Sequence, residues 1–333
     1  MKPKLNAAVV GCGWAGKIHA EAYVNHPEVN LIAVCDPNPE KAHQLAKRWH
    51  CQAYESLEEL LEKEKIDIAS IASPTETHIS LGKKLLQAGV AILCEKPLSR
   101  DAASAYDLRS FARSTALSCG VNYNRRFAKG YQIAKERLKQ AKHIHFVSSI
   151  LAQNVPLAQT KELRAQLPED FLVFDALSHQ MDLVVYLVSK PAHLFALGSK
   201  DDSDQLWTDI EVMISFENGA LGSLICSLHG PEWGQLPIER FEVATEIERL
   251  VVENIVARVE WFGYRDGEYH VWEPNIFEPT NYIESMYASI NAWIESVLHG
   301  SPPPISVEEA AFVVELCEQV KNALKSPGDR KKL

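Results

Sequence analysis

Short apolar runs alternate with segments of helical period along the first part of the chain. Leu5 to Val10 is a short, mainly apolar run, and a helical pattern follows it through His26. The same pattern predicts strands at Leu31 to Cys35, Ile68 to Ala72, Ala91 to Cys94 and Ala116 to Val121. Helices are expected between them at Pro39 to Trp49, Ser56 to Glu64, Glu76 to Ala88 and Ala102 to Ser114. Such alternation predicts a doubly wound parallel sheet, an α/β Rossmann domain over residues 1–122.

After Arg126 the alternation stops. A helix is expected from Tyr131 to Gln140, a strand from His145 to Leu151, an irregular stretch around Asn154 to Pro168, and a strongly helical run from Phe174 to Val188. From Leu194 to Val271 the pattern is mostly that of strands, with Phe216-Glu217-Asn218-Gly219-Ala220 as a hairpin turn. Helices Tyr282 to Leu298 and Val307 to Leu324 close the chain around Gly300-Ser301-Pro302-Pro303-Pro304, followed by a polar tail from Ser326 to Leu333. Residues 123–333 therefore read as an α+β domain with a large, mainly antiparallel open sheet, whose face would suit contact between copies. The C-terminal helix would be able to pack back on the first domain.

Composition narrows the partners. A chain of 333 residues exceeds what one compact core usually holds, so two domains are expected. The net charge of −10 argues against nucleic acid or an anionic membrane as partner, since the one notable basic stretch is Arg330-Lys331-Lys332. With no membrane-length apolar run and no cleavable hydrophobic segment before the first strand, a cytoplasmic protein is expected. The seven cysteines are scattered, with Cys35, Cys94 and Cys226 in apolar strand contexts; they read as reduced thiols, and no zinc or other metal site is expected.

The chemistry begins at Gly11-Cys12-Gly13-Trp14-Ala15-Gly16, which follows a strand and opens a helix. In that context Gly11 allows a tight turn, Gly13 lets the backbone approach a pyrophosphate, and Gly16 lets helix and strand pack closely. Asp36 ends the second strand, where a carboxylate can accept from both ribose hydroxyls and repel a 2′-phosphate. NAD is the expected cofactor in preference to NADP, although Lys41 or Arg48 could soften the choice.

Three further segments lie just past strand ends, where doubly wound sheets bind ligands: Ser73-Pro74-Thr75 with His78, Glu95-Lys96-Pro97, and Asn122-Tyr123-Asn124-Arg125-Arg126. His78 reads more simply as a capping or packing residue. Lys96 is held between a strand and the fixed φ of Pro97, so it is positioned rather than mobile. In the second half, Asp175, His179 and Asp182 fall at i, i+4 and i+7, on one face of a helix. A helix-start aspartate with a solvent-facing histidine would account for that stripe by itself. Downstream of a cofactor fingerprint it reads as catalytic, because hydride transfer from an alcohol needs a proton acceptor.

Together GCGWAGKIHA at residues 11–20, the aspartate-ended second strand, CEKPLS at 94–99, NRRF at 124–127, Asp-x-x-x-His at 175–179 and FENGALGSL at 216–224 make the chain resemble the glucose-fructose oxidoreductase and inositol dehydrogenase family. The resemblance spans nearly the whole chain. It implies a Rossmann domain followed by a mainly antiparallel sheet domain, a cis Lys96–Pro97 bond, and a catalytic group of Lys96, Asp175 and His179. Many family members place glycines before the aspartate, whereas this chain has Phe171-Leu172-Val173-Phe174, which is similar to the inositol dehydrogenase branch. Where that branch tends to carry a tyrosine near the substrate, this chain has Trp233-Gly234-Gln235.

The expected activity is that of an NAD(P)-dependent oxidoreductase acting on CH–OH groups, inositol 2-dehydrogenase-like. A secondary hydroxyl of a cyclic polyol or sugar, inositol-like or aldose-type, would be oxidised to a ketone or lactone. His179 would take the hydroxyl proton, Lys96 would steady the oxygen, and Asp175 would orient substrate or imidazole. Lys96 alone would also suit a general base. The cofactor is expected on Gly11, Gly13, Trp14, Ala15, Gly16, Asp36, Ser73, Pro74, Thr75, His78, Glu95, Lys96 and Asn124. The substrate is expected on Lys96, Asp175 and His179 with Arg126 and Asn154, for which salt-bridge or turn roles fit equally; Asp182 reads as a supporting carboxylate. A homodimer or homotetramer through the second sheet is expected. Two other readings share the fold: a non-catalytic NAD-binding sugar or redox sensor, and a redox-neutral NAD-dependent glycosidase.

Overall fold

The computed structural model describes residues 3–155, 160–164, 166–200, 206–232, 238–255, 258–274 and 282–325. Trp233-Gly234-Gln235 and the polar tail at 326–333 lie outside the described residues. The chain divides into two compact units, Met1–Asn124 with Met286–Val314, and Arg125–Ser285 with Glu315–Leu333.

In the first unit, β1 (Leu5–Val10), β2 (Val29–Cys35), β3 (Gln52–Tyr54), β4 (Ile68–Ile71), β5 (Ala91–Glu95) and β6 (Cys119–Asn122) form a parallel sheet in the order β3-β2-β1-β4-β5-β6. Residues 7–10 and 68–71 are each at most 5 % exposed, as expected of central strands covered on both faces, which is why these runs are almost continuously apolar. Ser70 is the polar exception.

Around the sheet run α1 (Trp14–Asn25), α2 (Pro39–Trp49), α3 (Leu57–Lys63), α4 (Thr75–Gln87) and α5 (Ala102–Thr115). Asn38, Ser56 and Asp101 cap α2, α3 and α5 by accepting N–H bonds from the first turn, each worth about 1 kcal/mol. The sixth strand starts later than the apolar pattern suggested. Ala116 sits at φ 55°, in the left-handed conformation that stops α5 and turns the chain, so Ala116 to Ser118 are not strand. The short β3 was not anticipated, because three residues carry too little pattern to read.

The first unit also takes most of α9 (Tyr282–His299) and the start of α10 (Val307–Lys325). The Trp293 indole is 1 % exposed and donates to Ser118 Oγ at 3.1 Å, and Val121 N–H donates to Ile305 O at 3.1 Å. The open edge of β6 is thereby covered.

In the second unit an eight-stranded sheet runs β14-β13-β12-β11-β7-β10-β9-β8. Its strands are β7 (Ile144–Asn154), β8 (Pro191–Lys200), β9 (Trp207–Phe216), β10 (Leu221–Glu232), β11 (Ile238–Thr245), β12 (Glu248–Glu253), β13 (Arg258–Gly263) and β14 (Tyr269–Trp272). The β10–β7 pair is parallel and the other pairs are antiparallel. Along β9, Thr208, Ile210, Val212, Ile214 and Phe216 are buried while Glu211 and Met213 point to water, the alternation of a sheet with one covered face.

On the covered face lie α6 (Lys129–Leu138), which packs on β12 and β13, and α8 (Ser178–Leu187), which packs on β7; a short α7 (Lys161–Arg164) precedes α8. The expected single helix from Phe174 is interrupted. Val173–Leu177 is a π-helical turn leading into α8. Such a turn inserts a residue into the helical repeat, so side chains on its two sides do not keep the simple i, i+4, i+7 phase.

Candidate functional site

Two local constructions gather the candidate residues, one in each unit. In the first, β1 stops at Val10 and α1 starts at Trp14, leaving Gly11 to Gly13 as the turn. A Cβ on Gly11 would lie 2.4 Å from Ala72 O and one on Gly16 would lie 1.8 Å from Gly11 O, so neither position admits a side chain. A Cβ on Gly13 would meet nothing within 4 Å. The backbone is tightly packed on one side and open on the other, as the approach of a pyrophosphate requires. Unlike α2 and α3, α1 has neither a side-chain cap nor an acid in its first turn, which leaves the positive end of the helix to an external anion.

Asp36 follows β2. Its Oδ2 accepts the Cys12 N–H at 2.8 Å and its Oδ1 accepts the Asn38 N–H at 2.9 Å. These bonds aim the carboxylate at the glycine turn, and each oxygen keeps a lone pair for a ribose hydroxyl. Burial pushes the Cys12 thiol up to about 12, with the Asp36 charge adding to it, so this thiol is inert. Gly11, Gly13, Trp14, Ala15, Gly16 and Asp36 are the residues that would hold the pyrophosphate and adenosine of a dinucleotide.

Beyond β4, Ser73 Oγ and Thr77 Oγ1 lie 2.6 Å apart, and Thr77 Oγ1 donates to Pro74 O. His78 is buried, with Nδ1 2.9 Å from Pro97 O and Nε2 2.8 Å from Ser73 O. Each ring nitrogen faces a backbone carbonyl, and the neutral imidazole donates to one of them, so His78 lies between the turn after β4 and the turn after β5 and presents no polar atom to a cofactor. Burial holds its pKa below the ordinary imidazole value, although both carbonyls work the other way. The Lys96–Pro97 peptide is cis, as the resemblance implied. Lys96 and Glu95 are half-buried at the carboxyl end of β5, while Asn124 is buried in a 3-10 turn, Asn124–Phe127.

The Glu95 side chain turns back into the sheet. Its Oε1 accepts from Asn122 Nδ2 at 2.8 Å and lies 2.9 Å from His19 Nε2. Burial opposes the charge on Glu95, but the contact with His19, then Asn122 and Lys96, outweigh it and hold the carboxyl below its usual range. His19 was not singled out by sequence, although it lies inside the GCGWAGKIHA motif; the ninth position of that string was the available signal.

In the second unit, Arg126 is committed to Asp182. Its Nη2 donates to Oδ1 at 2.7 Å and its Nε to Oδ2 at 2.9 Å, with the side chains 4 % and 1 % exposed. The guanidinium also lies 4.8 Å from the Tyr186 ring centre. Neighbouring Arg125 is paired to Glu239, which also accepts from Tyr131 Oη at 2.7 Å. Arg125 is thereby tied to β11 and Arg126 to α8. His179 is buried in the first turn of α8, and Asp175 is half-buried in the π-turn before it. Burial drives the Cys226 thiol of β10 well up and the charge of Asp175 adds to it, which puts Asp175 within electrostatic reach of that strand. Asn154 ends β7 with a buried Oδ1 that lacks a protein hydrogen bond. Among the described residues no group of three or more His, Cys, Asp or Glu side chains could hold a metal ion.

Comparison with known proteins bears on both constructions. Residues 5–123 match the family model described as "Oxidoreductase family, NAD-binding Rossmann fold", and residues 134–246 match the GFO/IDH/MocA C-terminal domain. The chain is similar to myo-inositol 2-dehydrogenase of Thermotoga maritima, 24 % identical with 96 % of each chain covered. It is also similar to D-glucoside 3-dehydrogenase of Escherichia coli, 22 % identical over 93 % of this chain and 92 % of that one. A solved levoglucosan dehydrogenase with NADH and L-sorbose shares the fold at a TM-score of 0.87 and 18 % identity, covering 97 % of both chains.

Proposed function

The chain belongs to the GFO/IDH/MocA family of NAD-dependent sugar and polyol dehydrogenases, and from that premise we propose that it oxidises a secondary hydroxyl of a cyclic polyol or sugar, inositol-like or aldose-type. The product is a ketone, or a lactone where the hydroxyl is anomeric. Bound NAD supplies the hydride acceptor. His179 takes the hydroxyl proton, and Lys96, a compact ammonium, stabilises negative charge developing on the same oxygen. Asp175 orients substrate or imidazole, and Asn154 offers its buried Oδ1 to a substrate hydroxyl.

The observation that carries the reading is the anchoring of Lys96. Its turn is tied to the sheet by Glu95 on one side and by the Pro97 carbonyl facing His78 on the other, so its backbone is pinned at a strand end. The test is reduction of NAD by the purified protein across a panel of inositols and aldoses, followed at the reduced-nicotinamide absorbance. Lys96→Ala and His179→Ala should each lose at least about a hundredfold in turnover on the best substrate. Near-wild-type turnover in both variants would refute the assignment. Tight NAD binding without turnover on any polyol would point to a sensor, and sugar release without net NAD reduction to a redox-neutral glycosidase.

The outer face of the second sheet is the proposed contact between copies, as a homodimer or homotetramer. Phe146, Phe195, Met213 and Leu221 are between 41 % and 62 % exposed there and line a trough of about 590 Å³. Met213→Glu with Leu221→Asp should lower the mass measured by light scattering; an unchanged mass would rule this face out. We place the enzyme in the cytoplasm, in keeping with seven unpaired cysteines.

A further inference from the structure

Glu95 ends a chain of buried polar groups that crosses the core of the first unit. From its Oε1 the chain passes to His19 Nε2 at 2.9 Å, from His19 Nδ1 to Ser70 Oγ at 2.7 Å, and from Ser70 Oγ to the Tyr23 hydroxyl at 2.6 Å. Tyr23, His19 and Ser70 are 0 % exposed, so each proton in the chain needs a protein acceptor.

The far end sets the direction. Tyr23 has Ser70 as its hydrogen-bond partner, and burial keeps the phenol protonated, so Tyr23 donates to Ser70. Ser70 must then donate onward to His19 Nδ1, and the neutral imidazole donates its Nε2–H to Glu95. The opposite direction would leave the phenol proton with no acceptor. Glu95 thus receives a donor from His19 and a second from Asn122, the arrangement that suits a carboxylate rather than a carboxylic acid. Asn122 spends its amide N–H on Glu95 and leaves its own Oδ1 buried with no protein partner.

The sheet order indicates what lies above these groups. In the order 3-2-1-4-5-6, a dinucleotide spans the point between β1 and β4 where the strand order reverses. Asp36 beyond β2 takes the adenosine half, so the nicotinamide half belongs over β4 to β6. Glu95 ends β5 and Asn122 ends β6.

We propose that Glu95 sets the preference of the protein for oxidised over reduced cofactor, with Tyr23, Ser70, His19 and Asn122 as the positioning residues that keep its charge in place. The nicotinamide ring is cationic when oxidised and neutral when reduced, so a fixed anion beside it stabilises the oxidised form selectively. The inference rests on the dinucleotide site and on no choice of substrate.

Binding alone tests it. Dissociation constants for NAD+ and NADH are measured on the full chain, by quenching of tryptophan fluorescence and by NADH emission. Glu95→Gln keeps the shape and loses the charge, and should raise the ratio of the NAD+ to the NADH constant about tenfold. Glu95→Asp should restore most of the wild-type ratio. A merely structural role would weaken both cofactors in parallel, and an unchanged ratio in Glu95→Gln overturns the proposal. If Glu95→Gln does not fold, Tyr23→Phe removes one hydroxyl and must move the ratio the same way by at least about threefold; no movement there overturns the proposal equally. Failure of the wild-type chain to bind either cofactor would instead strike at the dinucleotide site itself.

Discussion

The Arg126–Asp182 pair gives the sharpest test of which polar groups of the second unit are scaffold and which face substrate. Both side chains are almost wholly buried, and hydrogen bonds of 2.7, 2.9 and 3.1 Å join them. Removing one partner strands the other charge in a poorly solvating interior, at a cost of about 3–5 kcal/mol. Replacing both with apolar groups of similar volume removes the stranded charge and is expected to be close to neutral. Asp182→Leu and Arg126→Met should therefore each lower stability by that amount, and the double variant should recover most of the loss. Urea unfolding followed by far-ultraviolet circular dichroism supplies the midpoints, and the double-mutant cycle isolates the coupling. With the pair as scaffold, the folded double variant keeps kcat/KM within about threefold of wild type. A well-folded double variant that lost more than about a hundredfold in kcat/KM would show that Arg126 or Asp182 acts on substrate and that the scaffold reading is wrong.

Two further outcomes follow from the first unit. Asp36→Ser should raise the KM for NAD at least about tenfold and narrow its advantage over NADP, measured on one polyol with both cofactors; an unchanged KM for NAD would deny the carboxylate its ribose contact. The folded-state pKa of His78 lies below its ordinary value of 6.5 because it is buried, so the unfolded chain binds more protons as pH falls below that value. The stability from a neutral His78 is complete above pH 6.5 and is lost progressively as pH falls toward the folded pKa. Melting temperatures of wild type and His78→Gln between about pH 5 and 8 should converge on acidification; parallel curves would count against it.

What sequence could show depended on how far apart in the chain the cooperating residues lie. Gly11, Gly13, Gly16 and Asp36 belong to one strand, turn, helix and strand, and the backbone geometry that makes them a site is dictated within that stretch. Apart from β3, the Rossmann sheet was readable for the same reason, since its longer strands are mostly buried apolar runs. The π-turn at Val173–Leu177 was not, because Phe171 to Leu177 fits an ordinary apolar helix residue by residue and nothing local marks the inserted repeat. Arg126 could be named but not assigned, for its partner Asp182 lies 56 residues away.

Glu95 could be named from the sequence, but distance along the chain hid its partners. Its network takes His19 from α1, Ser70 from β4 and Asn122 from β6, with sequence separations of 76 for His19–Glu95 and 27 for Asn122–Glu95. No periodicity or spacing links those positions; only the parallel order β1-β4-β5-β6 brings their ends side by side. A serine in the middle of an otherwise apolar strand and a histidine inside a tightly packed helix each cost desolvation, and each is tolerable only because the other is there to bond it. Either residue alone would be a defect in the core. Joined to Tyr23 and Glu95, they hold one ionised carboxylate at the strand ends beside Lys96, which makes the charge of Glu95 a property of the whole sheet rather than of the Glu-Lys-Pro turn.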